Sequence, residues 1–144
     1  VMDGLIFVGV GDAITIHRRM VDDFGGDSGL RDRGLLESAR AMPKAMFGGD
    51  YLHVDLPSMA AAYHYHLCAN HPFVDGNKRV AVAVAEVFLR ANGLQLEATD
   101  DEIVELTLGV ASGTTGKPEV TDFYLKRVRK RRCGSRRRNP RSRK

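Results

Sequence analysis

The apolar positions of this chain recur mostly at helical spacing, broken by short polar and glycine-rich stretches. "GDAITIHRRMVDDFGG" sets Ile14, Ile16, His17, Met20, Val21 and Phe24 near a 3.6-residue period, with Asp12 a candidate N-cap and Gly25-Gly26 a stop. "LRDRGLLESARAMP" predicts a shorter helix from about Gly34 that ends near Pro43. "MFGGDYLHVDLP" is turn-rich and alternates briefly from Tyr51 to Val54, which predicts a loop or a small hairpin. A helix restarts in "DLPSMAAAYHYHLCAN", with Asp55 as N-cap and Pro57 tolerated in the first turn.

In "NKRVAVAVAEVFLRANG" the run from Ala81 to Ala85 is apolar all round, and Glu86 is its first interruption. A helix apolar on every side is normally central and buried. The alternating valines are compatible with a strand, but the alanines, the length and the Asn92-Gly93 ending favour helix. "DDEIVELTLGVASG" starts a further helix at Thr99 or Asp100, with acids in its first turn where the macrodipole favours them. "KPEVTDFYLKRVRK" predicts a short amphipathic helix burying Val120, Phe123, Tyr124 and Val128. The pattern predicts an all-α domain of about five to seven helices around one buried central helix. There are no internal repeats.

Charge divides the chain. The net charge is +4, yet residues 126–144 hold 12 of the 22 Lys and Arg and no acid, leaving 10 basic against 18 acidic residues in 1–125. The expected organisation is an acidic domain over residues 1–125 with a basic tail over 126–144. That tail is almost without apolar residues after Val128, so it is expected to be disordered on its own. It could contact nucleic acid, dock an acidic partner, or be a solvated end without a dedicated role; no aromatic residues interleave its cations for base stacking. Hydrophobic residues make up 43% of the chain, an ordinary globular value. No apolar run approaches the roughly 18 residues that span a bilayer, and no secretory leader is evident. Cys68 and Cys133 are too few for a disulfide framework, so the expected location is a reducing cytoplasm.

The chemistry concentrates in "HPFVDGNKR", residues 71–79. Pro72 and Gly76 mark a tight loop between two helices, and Asp75, Gly76 or Asn77 is placed to cap the second. The first turn of a helix offers unpaired N–H groups and the positive end of the dipole. Lys78 and Arg79 fall there, the unfavourable end for cations unless an anion lies in front of them. A phosphate would satisfy both, lysine as a point charge and arginine as a bidentate fork. Asp75 could add a hard oxygen for Mg²⁺, and His71 could act as general base toward a hydroxyl. Taken singly, each residue has a plainer reading as a cap or an ion-pair partner. Together they describe phosphoryl or nucleotidyl transfer.

"HPFVDGNKR" resembles the signature of the Fic/Doc superfamily, in particular its death-on-curing (Doc) toxin branch, with the pattern HxFx(D)xNKR. "IHRRMVDDFGGDSGLRDRGLLESA" and "FLRANGLQLEATDDEIVELTLGVASG" also resemble that branch, and the likeness spans roughly residues 12–125. It implies a compact helical Fic fold, with His71 as general base, Phe73 as the residue anchoring the loop, Asp75 as Mg²⁺ ligand, and Gly76, Asn77, Lys78 and Arg79 around the phosphates of ATP. Lys78 replaces the second glycine of the adenylylating motif HPFx(D/E)GNGRxxR, and Val82 replaces its later arginine. A lysine there obstructs the close backbone approach that glycine permits.

The resemblance therefore implies a toxin that moves the γ-phosphate of ATP to a threonine or serine hydroxyl of a protein, a translation elongation factor in the known cases, arresting translation. AMP transfer is the chemical alternative, and an idle Fic-like module with a nucleic-acid-binding tail is the non-enzymatic one. A separate antitoxin is implied as the controlling partner. "TTGKPEV" begins like the (S/T)xxxE(G/N) inhibitory helix but lacks its final Gly or Asn, so no built-in inhibitor is expected. Residues 42–54 are the candidate flap over the target segment. His53, His64 and His66 read as helix-surface or core-edge histidines rather than a metal cluster, and "GLRDRG" reads as a solvated, salt-bridged turn.

Overall fold

A computed structural model describes residues 4–131. Helix α1 spans Val10–Phe24, and its N-cap is Gly9. Asp12 sits one turn inside, where its carboxylate accepts the Gly9 N–H at 3.1 Å. The acid thus closes the helix start from within rather than capping it. Helix α2 spans Arg33–Ala41, capped by Asp32, which accepts from the Leu35 N–H at 3.0 Å. A single 3₁₀ turn, Met42–Lys44, buries Pro43 and leads into a minimal hairpin. Its strands β1 (Met46–Phe47) and β2 (Asp50–Tyr51) pair antiparallel, Met46 opposite Tyr51, around Gly48-Gly49.

Helix α3 spans Leu56–Asn70 and helix α4 Asn77–Ala91. Strand β3 (Leu94–Leu96) follows, then α5 (Asp100–Ser112), α6 (Lys117–Arg127) and β4 (Val128–Lys130). Thr99 and Glu102 form a reciprocal capping box at the start of α5. The all-α expectation holds for the architecture, with two short antiparallel ribbons added.

The central helix is α3, not α4. It packs against α2, α4, α5 and α6, and Met59, Ala60, Ala61, Ala62, Tyr63 and Leu67 are fully buried. Three consecutive alanines cover three directions of the helix, so neighbouring backbones can close in on every side. Helix α4 buries Val80, Ala81, Val84, Ala85, Phe88 and Leu89 but leaves Val82 and Ala83 half-buried and Val87 exposed. Its all-round apolar run belongs to a helix covered on most, not all, of its circumference.

Two further expectations change. His64 is fully buried and joins three helices, its Nδ1 2.6 Å from the Tyr124 hydroxyl and its Nε2 2.9 Å from Thr107 Oγ1. Thr107 already donates to the Ile103 carbonyl at 2.7 Å, so His64 Nε2–H donates to Thr107 and Tyr124 O–H donates to Nδ1. Burial holds the His64 pKa down to about 4. The boundary at 125/126 also does not end the secondary structure. Lys126 and Arg127 close α6, and β4 pairs with β3, Leu96 opposite Val128, so Val128 lies in a strand rather than in the helix. Arg127 bridges to Glu102 at 3.3 Å and lies over the Phe123 ring at 4.2 Å. The expected disorder of residues 132–144, with Cys133, falls outside the described residues.

No helix among the described residues is long and apolar enough to cross a membrane.

Candidate active site

The loop between α3 and α4 carries the motif, and its shape is set by a few backbone contacts. Asn77 is buried and clamps Phe73 on both sides, accepting the Phe73 N–H at Oδ1 (2.9 Å) and donating from Nδ2 to the Phe73 carbonyl (2.9 Å). Phe73 is itself buried and stacks on the imidazole of His17, ring centroids 3.8 Å apart and planes 9° from parallel. These contacts tie the loop at Phe73 to α1. The Asn77 side chain, by contrast, is committed to the loop, so its contribution to a phosphate would come from its backbone N–H.

Gly76 caps α4 in the left-handed region, φ 78°. Of the three candidate caps it is the glycine that serves, because the turn demands a conformation that costs an L-residue about 1–2 kcal/mol. A Cβ on Gly76 would also stand 3.4 Å from His17 Nε2. Behind it, the N–H groups of Asn77, Lys78 and Arg79 have no intrahelical acceptor by the geometry of a helix start.

Asp75 is exposed, and three neighbours fix it. Its Oδ1 accepts the Gly76 N–H at 2.9 Å. Its backbone carbonyl accepts from His17 Nε2 at 2.6 Å. Its carboxylate lies over Gly26, where any Cβ would come within 2.6 Å of Oδ2. Gly25 ends α1, and Gly26, next along at φ 113°, leaves room for the carboxylate. This cradle fits a metal-binding role for Asp75. Among the described residues no group of three or more His, Cys, Asp and Glu could hold a metal, so a cation here would draw most of its oxygens from phosphates and water, as Mg²⁺ does beside a nucleotide.

Lys78 and Arg79 are exposed, and neither forms an ion pair among the described residues, whose salt bridges are Arg33–Glu37, Asp122–Lys126 and Glu102–Arg127. The guanidinium of Arg79 rests 4.5 Å from the centre of the Phe24 ring. The Lys78 charge reaches the buried Cys68, whose thiol pKa is pushed up by burial and pulled back somewhat by that charge. Two cations without an acid partner among the described residues, at the positive end of a helix, concentrate positive potential there.

His71 is the C-cap of α3 and is exposed. It is the one non-glycine residue with positive φ among the described residues (φ 49°, ψ 56°). For a histidine this is a strained position, of the kind that persists where surroundings over-determine it. The surroundings come from "GLRDRG", which is not a free solvated turn. The Arg31 and Asp32 N–H groups both donate to the Pro72 carbonyl (2.8 and 3.0 Å), and the Val74 N–H donates to the Gly29 carbonyl (3.0 Å). Arg31 Nε donates to the His71 carbonyl at 2.7 Å and Nη2 to the Asn70 carbonyl at 3.1 Å.

A sequence comparison bears directly on this constellation. A family model described as "Fic/DOC family" matches residues 8–89, taking in α1 through most of α4. The chain belongs to the Fic/Doc family. Curated Fic/Doc relatives include "Toxin Doc" of Mycolicibacterium smegmatis, 47% identical over 78 residues, which cover 54% of this chain and 60% of that protein. "Protein kinase doc" of Escherichia phage P1 is 32% identical over 111 residues, 77% of this chain and 86% of that protein. Both names place the chain in the Doc branch of Fic/Doc.

The site differs from its sequence-based description mainly in its supports. His17, Gly26, Phe24 and Arg31 lie 39 to 58 residues before the residues they hold, and periodicity reads them as a core position, a helix stop, a face residue and a surface charge. Two shallow depressions, of about 490 Å³ beside Lys117 and Leu125 and about 340 Å³ beside Phe7 and Val87, lie away from the Fic/Doc loop.

Proposed function

We propose that this chain is a Doc-type toxin of a toxin–antitoxin module that transfers the γ-phosphate of ATP to a threonine or serine hydroxyl of a protein. The observation that carries this reading is the pair of cations, Lys78 and Arg79, which have no carboxylate partner among the described residues, at the start of α4 next to Asp75 in its glycine cradle. Membership of the Doc branch and a relative named as a protein kinase support the same chemistry.

In this mechanism Asp75 would hold the Mg²⁺ that accompanies ATP, and the ATP would supply the phosphoryl group. The N–H groups at the start of α4, with Lys78 and Arg79, bind phosphate oxygens and offset the charge that moves toward the leaving group. His71 takes the proton from the target hydroxyl as its oxygen bonds to the γ-phosphorus; the bond to the bridging oxygen breaks, and ADP leaves. The Lys78 side chain stands where an adenylylating site keeps a glycine, which favours presenting the terminal phosphate over AMP transfer.

The expected substrate is a translation elongation factor and the expected setting the cytoplasm. An antitoxin segment is the expected regulator, and residues 126–144 the element for an acidic partner or nucleic acid. Replacing His71 by alanine tests the core of the reading. Transfer to the target should vanish while the melting temperature and ATP affinity stay near wild type; retained transfer would remove His71 as base.

A further inference from the structure

Arg31 lies outside the nine-residue motif, yet its guanidinium grips the motif's first residue. Its Nε and Nη2 reach the carbonyls of His71 (2.7 Å) and Asn70 (3.1 Å). These carbonyls close the C-terminus of α3, where no intrahelical donor reaches them and the dipole favours a cation. A planar fork satisfies two adjacent carbonyls at once, a geometry that lysine's point charge cannot reproduce. The carbonyl it holds belongs to the residue in the left-handed conformation. Freed of that grip, His71 could relax toward the right-handed or extended regions, which would redirect its Cα–Cβ bond.

We infer that Arg31 is a positioning residue, locking His71 in its left-handed conformation and so fixing the direction of its imidazole toward the reacting hydroxyl. The inference rests on the reading of His71 as general base. Arg31 is exposed and makes no contact with Gly76, Asn77, Lys78 or Arg79 among its hydrogen bonds, so its loss should leave the fold and the phosphate cradle in place.

The test compares Arg31→Ala and Arg31→Lys with the wild type in the full chain. With Mg-ATP and a protein target, Arg31→Ala should lower kcat by roughly 10- to 100-fold, the scale of a displaced catalytic group, with KM for ATP within about twofold. Millimolar guanidinium should restore part of that rate, and Arg31→Lys should recover little. In the nucleotide-free protein, the ¹³Cα shift and HN–Hα coupling of His71 should move away from left-handed values in Arg31→Ala. An unchanged kcat overturns the inference, as does a fall in kcat matched by a lower melting temperature and a raised KM. If the wild type transfers nothing from ATP, the functional reading fails; the His71 resonances then decide alone, and unchanged resonances in Arg31→Ala overturn the positioning role.

Discussion

Removing the Asn77 amide should unfasten the loop before it affects any ligand. The side chain makes two 2.9 Å bonds to the backbone of Phe73, in a site where Phe73 is 1% and Asn77 9% exposed. In Asn77→Ala both Phe73 groups lose their partners. An unsatisfied buried donor or acceptor costs about 1–3 kcal/mol, so the pair costs roughly 2–6 kcal/mol, less whatever water recovers by entering. Against a typical stability of about 5–15 kcal/mol, that should lower the melting temperature by on the order of 10 °C. Asn77→Asp keeps the acceptor for the Phe73 N–H but sets a carboxylate oxygen against the Phe73 carbonyl, so it should fall between alanine and wild type. Urea unfolding at pH 7, followed by circular dichroism and paired with ATP titration by calorimetry, separates the two roles open to Asn77. Lost stability with weakened ATP binding is the result expected of a loop clamp. Unchanged stability with weakened ATP binding would mean that the amide serves the phosphate directly, and would refute the clamp.

Gly26→Ala should weaken Mg²⁺ binding in the presence of ATP, because the added Cβ falls within 2.6 Å of the Asp75 carboxylate and φ 113° is itself strained for alanine; unchanged Mg²⁺ affinity, measured by calorimetry, would count against Asp75 as ligand. Stability should fall on acidification between about pH 6.5 and 4. His64 binds its proton more weakly when folded, at about 4 against an ordinary 6.5, so the unfolded chain gains protons first and up to about 3 kcal/mol is lost across that window. Denaturant midpoints measured through that range should show this slope, and a His64→Gln variant should show a shallower one. On the reading that residues 126–144 hold nucleic acid, affinity should drop steeply with salt, and an affinity indifferent to salt would leave that reading without support. Truncation after residue 131 should abolish that binding while leaving transfer intact, and filter binding at two ionic strengths would show it.

The local signals in this sequence were strong and the distant ones weak. Caps at Asp55 and Thr99 and the stops at Gly25 and Asn92-Gly93 follow from side-chain chemistry within a turn, and the structure places them where that chemistry puts them. The motif was legible for the same reason, since His71, Asp75, Gly76 and the two cations lie within nine residues. What holds them was not. His17 fits an apolar helical face equally well whether it packs in the core or donates to Asp75, and Arg31 in "GLRDRG" looks like any exposed charge until α2 brings it against the end of α3. Strands β3 and β4 escaped because three residues are too few to show a period of two, and the basic residues of β4 match the composition of the segment that follows. The exchange of α3 for α4 as the central helix has a similar cause. Composition ranks the valine-rich run higher, while burial depends on how many neighbours a helix can accept, and the alanines of α3 admit more.

The central claim is that the cations at the start of α4 serve transfer of a terminal phosphate. Incubating the chain with its target and ATP labelled separately at the α and γ positions tests it most directly. The account predicts label on the target from γ-labelled ATP, none from α-labelled ATP, and none from either with His71→Ala. Label arriving from the α position would mean that AMP is the group transferred and would contradict the claim.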